Sequence, residues 1–379
     1  MRPRLRRLLH GGPPTRPSVG EAQAIARLQR EGPAPLTGGT PPDGPLDVAV
    51  VVPHFRRGSG GHTTIADLVR GLEARGHRCS IWIHDPDARS GGAVAFRELF
   101  GPFAAPVHDT LAGFSGADVA LATGWQTVAP VLLLSGCGGR AYLVQDHEPD
   151  FYPASAERMW AAESYRHGLH CITAGAWLAD VVGGYGASAT SFDLGIDHDV
   201  YGPLELPRRE ARVLFYARAA TPRRAVPLGL LALAELHRRR PDVEIVLFGD
   251  PAPPAAPFPF AHLGVLDDRT LAREYARATV GVVLSLTNHS LVAQEMVACG
   301  LAAVELDMPS TRAAFGPQPA VELAQPQGPA IATAIERLLG DGELRATRAR
   351  DGVTWASQRT WERAATAVEQ GLRTALRTD

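Results

Sequence analysis

The stretch from residue 280 to residue 305, VGVVLSLTNHSLVAQEMVACGLAAVE, constrains the fold of this chain more than any other. Its apolar, β-branched beginning predicts a buried strand over residues 280–284, and the apolar spacing that follows predicts a helix over residues 291–299. Gly300 stands where that helix ends, and residues 302–306 predict a second short strand. A strand, a polar turn and a helix in this order are typical of an α/β fold with a parallel sheet.

The polar turn of this unit, residues 285–290, is a candidate ligand site. Backbone N–H groups and the positive end of the helix dipole meet at such a helix N-terminus, which favours an anion. Glu295, early in the helix, suits hydrogen bonds to sugar hydroxyls. The sequence therefore predicts that a nucleotide sugar binds here. The candidate ligands in the turn and at the helix start are Thr287, Asn288, His289, Ser290 and Leu291.

Length and composition favour a soluble protein of two domains. A chain of 379 residues exceeds the usual size of a single core, and 45% hydrophobic with 21% charged residues is ordinary for globular proteins. A formal net charge of −2 argues against bulk nucleic-acid binding. No apolar run approaches the roughly 20 residues of a spanning helix.

The cysteine spacing and the choice of basic residue give two further predictions. The four cysteines show no metal-ligand spacing, which predicts reduced thiols of a cytoplasmic protein. The sequence contains no lysine, so every fixed side-chain cation is an arginine.

Residues 1–45 are rich in Arg, Pro and Gly and lack sustained periodicity, which predicts a disordered or loosely packed arm. Its start, MRPRLRRLLH, has no long apolar core and is not expected to be a secretory signal. The basic start suits a weak contact with an anionic membrane surface, which would place the protein at the inner face of the membrane.

A first doubly wound domain is predicted over residues 46–200. A strand over residues 47–52 leads into a glycine loop and then an amphipathic helix. Gly60 and Gly61 would let a phosphate or a sugar ring approach the backbone, although a tight turn without a ligand explains the pair equally well. The loop lacks the third glycine of the dinucleotide fingerprint.

Two polar loops of this domain carry further candidates. Asp146, His147 and Glu148 follow a strand predicted over residues 140–144, and they suit hydroxyl binding or general-base catalysis. Metal binding is less favoured because consecutive side chains diverge, and a solvated acidic turn is the alternative. His62 and Trp125, on neighbouring loops, are candidates for the acceptor side.

A second α/β domain is predicted over residues 201–345, after a linker at residues 197–210. The loop after its first strand carries Arg218, Arg223 and Arg224, and arginine forks suit bidentate binding of a diphosphate. A solvated basic loop is the alternative. Gly249, at the end of the next strand, is a further nucleotide-site candidate. Residues 346–379 are predicted as C-terminal helices that cross back to the first domain.

These motifs together resemble the GT-B fold of nucleotide-sugar glycosyltransferases, and the second domain is similar to glycosyltransferase family 4. In that family an Arg and a Lys hold the donor diphosphate, and a glutamate binds the ribose. The matching stretches here are FYAR at residues 215–218 with PRR at 222–224, and QEMVACG at 294–300, which contains Glu295.

A narrower resemblance, over about residues 46–370, is to the WsaF-type rhamnosyltransferase subgroup. It implies a retaining transfer of L-rhamnose from dTDP-rhamnose to a sugar hydroxyl of a glycan, with no metal and no cofactor required. The stretches that carry it are VVPH (51–54), GGH (60–62), VQDHEP (144–149), FYAR (215–218) and LSLTNHSL (284–291).

Two departures qualify the resemblance. Many family 4 members carry an earlier glutamate in the late turn, where this chain has Thr287, Asn288 and His289. The role of that glutamate is therefore not transferred. Arg223 or Arg224 stands where a lysine is commoner, which keeps the charge but changes the geometry.

Three alternatives stay open at this point. A glycosyltransferase that uses a UDP-, GDP- or ADP-sugar fits the same motifs. A catalytically silent binding partner of an assembly complex would explain the missing glutamate, although the arginines and Glu295 are intact. An oxidoreductase on a Rossmann domain is opposed by the absent fingerprint.

Overall fold

The computed structural model describes residues 19–38, 42–316 and 320–377. Two parallel β-sheets, each flanked by helices, form its core. The strands are β1 (Asp47–Pro53), β2 (Arg78–His84), β3 (Val107–His108), β4 (Ala117–Ala122), β5 (Cys137–Val144), β6 (His170–Ala174), β7 (Ala189–Phe192), β8 (Arg212–Tyr216), β9 (Glu244–Phe248), β10 (Ala261–His262), β11 (Val280–Val282), β12 (Ala303–Leu306) and β13 (Glu322–Ala324).

The helices follow the strands in an alternating order, as parallel pairing requires. They are α1 (Val19–Glu31), α2 (Gly60–Ala74), α3 (Gly92–Phe100), α4 (Trp125–Leu132), α5 (Ala156–Ser164), α6 (Ala176–Gly183), α7 (Val226–Arg239), α8 (Asp268–Arg277), α9 (Leu291–Ala298), α10 (Pro309–Phe315), α11 (Gly328–Gly340), α12 (Gly342–Ser357) and α13 (Trp361–Ala375).

The first sheet has seven strands in the order β3-β2-β1-β4-β5-β6-β7. The order reverses between β1 and β4, and loops at the carboxyl ends of strands around such a point form a crevice. Residues 48–52 of β1 are buried without interruption, because helices cover both faces of the sheet. The glycine loop before α2 and the start of α4 therefore lie at one edge of this sheet.

The second sheet has six strands in the order β10-β9-β8-β11-β12-β13. Its reversal lies between β8 and β11, so the arginine loop after β8 and the polar turn after β11 lie side by side. The two doubly wound sheets predicted from the sequence are confirmed by this topology.

The structure corrects the prediction that the N-terminal arm is disordered or loosely packed. Part of the segment predicted to lack stable structure, Val19–Glu31, forms α1, and Leu28 on this helix is buried in the first core. Arg27 and Glu31 form an ion pair along α1. The apolar positions are few, which is why periodicity alone missed the helix. The basic start of the chain lies outside the described residues.

The C-terminal segment, predicted as helices that cross back to the first domain, contains two helices separated at Gln358–Thr360. The first, α12, stays on the second domain, where Trp355 packs against Phe315. Only α13 crosses to the first domain, and its Ala364, Val368 and Leu372 are buried in that core.

All four cysteines are buried and free of disulfides, as expected from the sequence. Within residues 19–38, 42–316 and 320–377, no helix has the length and apolarity needed to cross a membrane.

Candidate functional site

The carboxyl ends of the two sheets face each other across a cleft that holds a cavity of about 550 Å³. Both walls carry residues that the sequence singled out, because every strand-to-helix loop of a parallel sheet opens at the same edge. The predicted residues that line the cavity are Gly60, Gly61, His62, Asp146, Glu148, Arg218, Arg223, Arg224, Gly249, His289, Ser290, Leu291 and Glu295.

The late polar turn joins the two domains through Asn288, which is 3% exposed. Its side-chain Nδ2 donates to the carbonyl oxygens of Gln145 (3.0 Å) and Ala174 (2.9 Å), both in the first domain. Its backbone N–H donates to Asp146 Oδ1 at 3.0 Å. Asn288 is therefore an interdomain contact and does not line the cavity.

The carboxylate of Asp146 is fully engaged. Oδ1 accepts the backbone N–H groups of His147 and Asn288, and Oδ2 forms an ion pair with Arg223 Nε at 2.8 Å. The guanidinium of Arg223 also lies over the ring of Phe151, 4.2 Å from its centroid. Arg223, on the second domain, is thus held between two residues of the first domain.

Arg224, on the same loop, contacts the late polar turn of the second domain. Its Nη1 donates to Ser285 Oγ (2.6 Å) and to the carbonyl oxygen of Asn288 (3.3 Å). Ser285 is bonded in turn to Glu305, a wholly buried residue of β12 that sequence reasoning passed over as a strand residue. Burial lowers the pKa of Arg224, and no carboxylate contacts its guanidinium directly. Arg224 therefore keeps donor capacity for an anion.

Arg218 reaches the glycine loop of the first domain, where its Nη1 donates to the carbonyl oxygen of Gly58 at 2.6 Å. α2 begins two residues later, at Gly60, with Ser59 as its N-cap. Gln145 Nε2 donates to the carbonyl oxygen of Gly61, which fixes the loop. A guanidinium and the N–H groups of a helix N-terminus thus face one part of the cavity, an arrangement that suits phosphate.

Glu295 also lines the cavity and lies beside Tyr275, whose hydroxyl donates to Oε2 at 3.4 Å. Burial, and then the negative charge of Asp268, raise the pKa of Glu295 to about 8. Gly249 lines the cavity with φ +99°, and a Cβ on it would lie 2.5 Å from the ring of Tyr216. Only glycine fits there, because both the backbone conformation and the space exclude a side chain.

Glu148 lies beneath the cavity floor and is 6% exposed. Oε2 accepts the first backbone N–H of α4, from Trp125, and Oε1 accepts from Tyr142 Oη at 2.6 Å. Burial raises its pKa to about 7 despite these hydrogen bonds. Both oxygens are occupied, so the geometry assigns Glu148 to positioning α4 instead of proton transfer.

We expect the free energy of unfolding to depend on pH because of the buried carboxyl group of Glu148. Because the folded-state pKa lies above the ordinary value, the contribution of Glu148 is fully present below about pH 4 and is lost as the pH rises through about 7. The loss is on the order of 3 kcal/mol. Glu148→Gln removes the titration, so the variant's free energy of unfolding, relative to the native chain, should rise between pH 5 and pH 8 in urea titrations.

The matched control for that measurement is Glu98→Gln, a change to an exposed glutamate of α3. A difference between Glu148→Gln and the native chain that does not vary with pH would show that Glu148 stays ionised in the fold.

Several predicted site residues lie off the cavity. His147 points away from it, with Nδ1 beside Asp150 Oδ2 (2.8 Å) and Nε2 beside Tyr185 Oη (3.1 Å). Trp125 is 3% exposed and donates through Nε1 to Tyr152 Oη. Thr287 is 4% exposed, and its carbonyl oxygen accepts from Ser310. Neither His147 nor Trp125 lines the cavity, so the structure does not bring them together with the other candidates, and their roles in catalysis and on the acceptor side stay predictions.

Two of the predicted site histidines, His62 and His289, line the cavity, and burial lowers the pKa of each to about 4. His54 also lines the cavity, and burial lowers its pKa as well. His62 packs among Phe55, Phe96 and Phe100, with Nδ1 beside Ser59 Oγ. His289 lies between Asn288 and Gln294. Both rings are uncharged near neutral pH, so the positive charge of the cleft comes from its arginines.

A larger cavity, of about 1140 Å³, lies on the far side of Glu295, between α2, residues 195–199 and α13. The arginines on its wall are bound to carboxylates, Arg70 to Asp67 and both Arg75 and Arg373 to Glu369. The interdomain cleft is therefore the better diphosphate site despite its smaller volume.

Among the described residues, no group of three or more His, Cys, Asp or Glu side chains could hold a metal ion. Metal independence itself stays a prediction.

Sequence comparison identifies the second domain. Residues 211–336 match the family model described as WsaF, C-terminal domain. The chain is also 31% identical over 345 residues to the O-antigen biosynthesis protein RfbC of Myxococcus xanthus, which covers 85% of this chain and 26% of that protein. The chain thus spans about a quarter of the length of this curated relative. The predicted resemblance to the WsaF-type group is confirmed, and membership of family 4 stays a prediction.

Comparison with solved structures identifies the fold. Sucrose-phosphate synthase from Thermosynechococcus elongatus is similar with a TM-score of 0.68 at 17% identity, over 88% of this chain and 100% of that one. Anabaena Alr3699/HepE in complex with UDP is similar with a TM-score of 0.68 at 15% identity, over 86% of this chain and 100% of that one. These likenesses show the fold alone, and the expected GT-B fold is confirmed.

Proposed function

We propose that this chain, which has a GT-B fold and a WsaF C-terminal domain at residues 211–336, is a nucleotide-sugar-dependent glycosyltransferase. One observation carries the proposal. Arg218, Arg224, the start of α2 and the carboxyl group of Glu295 all line one interdomain cavity. Guanidinium groups and helix N–H groups suit a diphosphate, and a carboxyl group suits a ribose hydroxyl.

The donor would lie along the cleft with its diphosphate at the arginines. As the glycosidic bond breaks, negative charge grows on the leaving diphosphate, and pre-positioned N–H donors stabilise it without reorganising. Arg218 and Arg224 are suited to this role, because neither is bound to a carboxylate in the cleft. Arg223 is bound by Asp146 and would act mainly by holding the two domains together.

The nucleoside would extend toward Glu295. Its carboxyl group accepts a hydrogen bond from the Tyr275 hydroxyl and is suited to accept or donate another at a ribose hydroxyl. Val265, Leu266 and Leu271 also line the cavity and offer apolar contact to a base.

For the sugar and the acceptor, the subgroup resemblance supports L-rhamnose from dTDP-rhamnose and a sugar hydroxyl of a glycan or glycoconjugate. A retaining outcome would follow from attack on the face of the leaving phosphate, which itself would take the acceptor proton. The first-domain wall, with His54, His62 and Gln126, is where the acceptor would lie. Closure of the two domains would exclude water from the donor.

The proposed location is the cytoplasm, at the inner face of the membrane. The RfbC relative is by name an O-antigen biosynthesis protein, which supports a role in surface polysaccharide assembly. A weak membrane contact through the basic start of the chain is part of the proposal.

A thermal-shift panel tests the function without a known acceptor. Ligands that bind only the native state raise the melting midpoint by mass action. We expect dTDP and dTDP-rhamnose to stabilise the protein with and without chelator, by about 2.7 kcal/mol at a ligand concentration of 100 Kd.

The other outcomes separate the alternatives. Stabilisation by UDP-glucose, the ligand bound in one Alr3699/HepE structure, would keep the transferase and replace the donor. Loss of the shift with chelator would contradict metal independence. No shift with any nucleotide would contradict the proposed function and favour a silent binding partner.

A further inference from the structure

Glu305 is a carboxylic acid in the middle of the second core. It lies on β12, which is buried along its whole length, and its own exposed fraction is 0%. The adjoining residues, Val304 and Leu306, are apolar and equally buried. Burying a carboxyl group costs free energy unless the group is hydrogen-bonded, so Glu305 is expected to have hydrogen-bond partners in the core.

The partners of Glu305 all belong to the start of the late turn or to its own strand end. Oε1 accepts the backbone N–H groups of Ser285 (2.7 Å) and Leu306 (2.8 Å), and Oε2 accepts from Ser285 Oγ (2.9 Å). Ser285 Oγ uses its remaining acceptor capacity for Arg224 Nη1 at 2.6 Å. A continuous chain of hydrogen bonds thus links a buried acid to a guanidinium in the cleft.

Burial raises the pKa of the Glu305 carboxyl group to about 7, while its three hydrogen-bond donors and the nearby Arg224 favour the ionised form. Burial lowers the pKa of Arg224, and the attraction of nearby carboxylates favours its charged form. Asp146 is one of them, but its oxygens are taken by Arg223, Asn288 and His147. Glu305 is the acid that reaches Arg224 through a single hydroxyl. Glu305 does not line the cavity, so it would act on a ligand only through Arg224 and the turn.

We propose that Glu305 is a positioning residue of the donor site, which orients Arg224 through Ser285 and fixes the start of the late turn. The inference rests on the proposed function, and it deepens it. The turn lacks a glutamate at residues 287–289. The carboxyl group of Glu305, on the neighbouring strand β12, supplies negative charge to this region instead. No bond is made or broken by Glu305, and its effect is on where the Arg224 donors point.

The test is Glu305→Gln, which keeps the size of the side chain and one acceptor oxygen but removes the charge. The affinity for a nucleoside diphosphate should fall about tenfold, the cost of one weakened charge-assisted hydrogen bond, while the affinity for the free nucleoside is unchanged. Calorimetric titration of dTDP and thymidine, or of the diphosphate and nucleoside preferred by the native chain, measures both.

The matched control is Glu322→Gln on the adjacent strand β13. Glu322 is also buried, at 6% exposed, but its partners are Arg337 and Arg348, away from the cleft. This variant should lose stability while the ratio of diphosphate to nucleoside affinity is kept. The same ratio change in both variants would overturn the proposal, because general loosening of the domain would then explain it.

A double-mutant cycle with Arg224→Gln decides whether the effect passes through the arginine. Glu305→Gln should cost little further diphosphate affinity once Arg224 is replaced, and additive losses would overturn the proposal. If Glu305→Gln does not fold, Ser285→Ala interrupts the same chain and should give the same selective loss. A native chain that binds no nucleotide would refute the proposed function; a native chain that binds diphosphate, with Glu305→Gln unchanged, would refute only this inference.

Discussion

Replacing Arg224 with glutamine is expected to lower kcat/KM for the nucleotide sugar by about 100- to 1000-fold, the usual effect of removing one donor at a developing negative charge. Arg224 is the cleft arginine whose cation is free of a direct carboxylate contact and yet held by two oxygens, Ser285 Oγ and the carbonyl of Asn288. It is therefore pre-positioned, and little energy would be spent on orienting it when the donor binds.

The loss of binding affinity in Arg224→Gln should differ between ligands. Affinity for the nucleoside diphosphate should fall steeply, and affinity for the free nucleoside should be kept, because we assign the diphosphate to Arg224 and the ribose to Glu295, on a different element. Arg238→Gln is the control, since this exposed arginine of α7 binds only Glu235 on the same helix. Equal losses for the diphosphate and the nucleoside would contradict the assignment of Arg224 to the diphosphate.

Replacing Asn288 with alanine is expected to open the cleft. The change removes the donor shared by the carbonyls of Gln145 and Ala174 and leaves two acceptors of the first domain without their partner. Each buried group that loses its hydrogen bond costs about 1–3 kcal/mol, so the closed arrangement should be destabilised by about 2–6 kcal/mol relative to an open one.

Small-angle scattering and donor titration together measure this effect. The radius of gyration of the ligand-free variant should increase, KM for the donor should rise, and saturating donor should restore a compact form. Thr279→Val is the control, because Thr279 makes its hydrogen bonds with Arg209 and Arg212 inside the second domain. An unchanged radius together with unchanged donor affinity would contradict a role of Asn288 in closure.

The interdomain contacts also revise the chemistry expected of the acidic loop. Asp146 and Glu148 were candidates for general-base catalysis because acids at a strand end are typical of such sites. In the structure, every oxygen of both carboxylates is occupied, by Arg223 and backbone N–H groups for Asp146 and by Tyr142 and Trp125 for Glu148. Their effect on a reaction would come through the residues they hold.

The sequence by itself was sufficient for the strand, turn and helix units and for which loops lie at the cleft. Hydrophobic periodicity and turn-forming residues are local properties of a sequence. Nearby residues alone therefore indicated the glycine loop at residues 58–61, the arginine loop after β8 and the turn before α9. Helix α1 was missed because its apolar face is short and its stability comes from packing on α4.

Only the tertiary structure decided which side chains meet. Asp146 and Asn288 are 142 residues apart in the chain, and no local pattern states that they bind each other. The same holds for Glu305, which a strand pattern treats as one polar residue among apolar ones, and for His147 and Trp125, whose loops lie at the cleft while their side chains do not line it. The direction of a side chain and the partner that compensates a buried charge depend on distant elements brought together by folding, which is why they are absent from the sequence pattern.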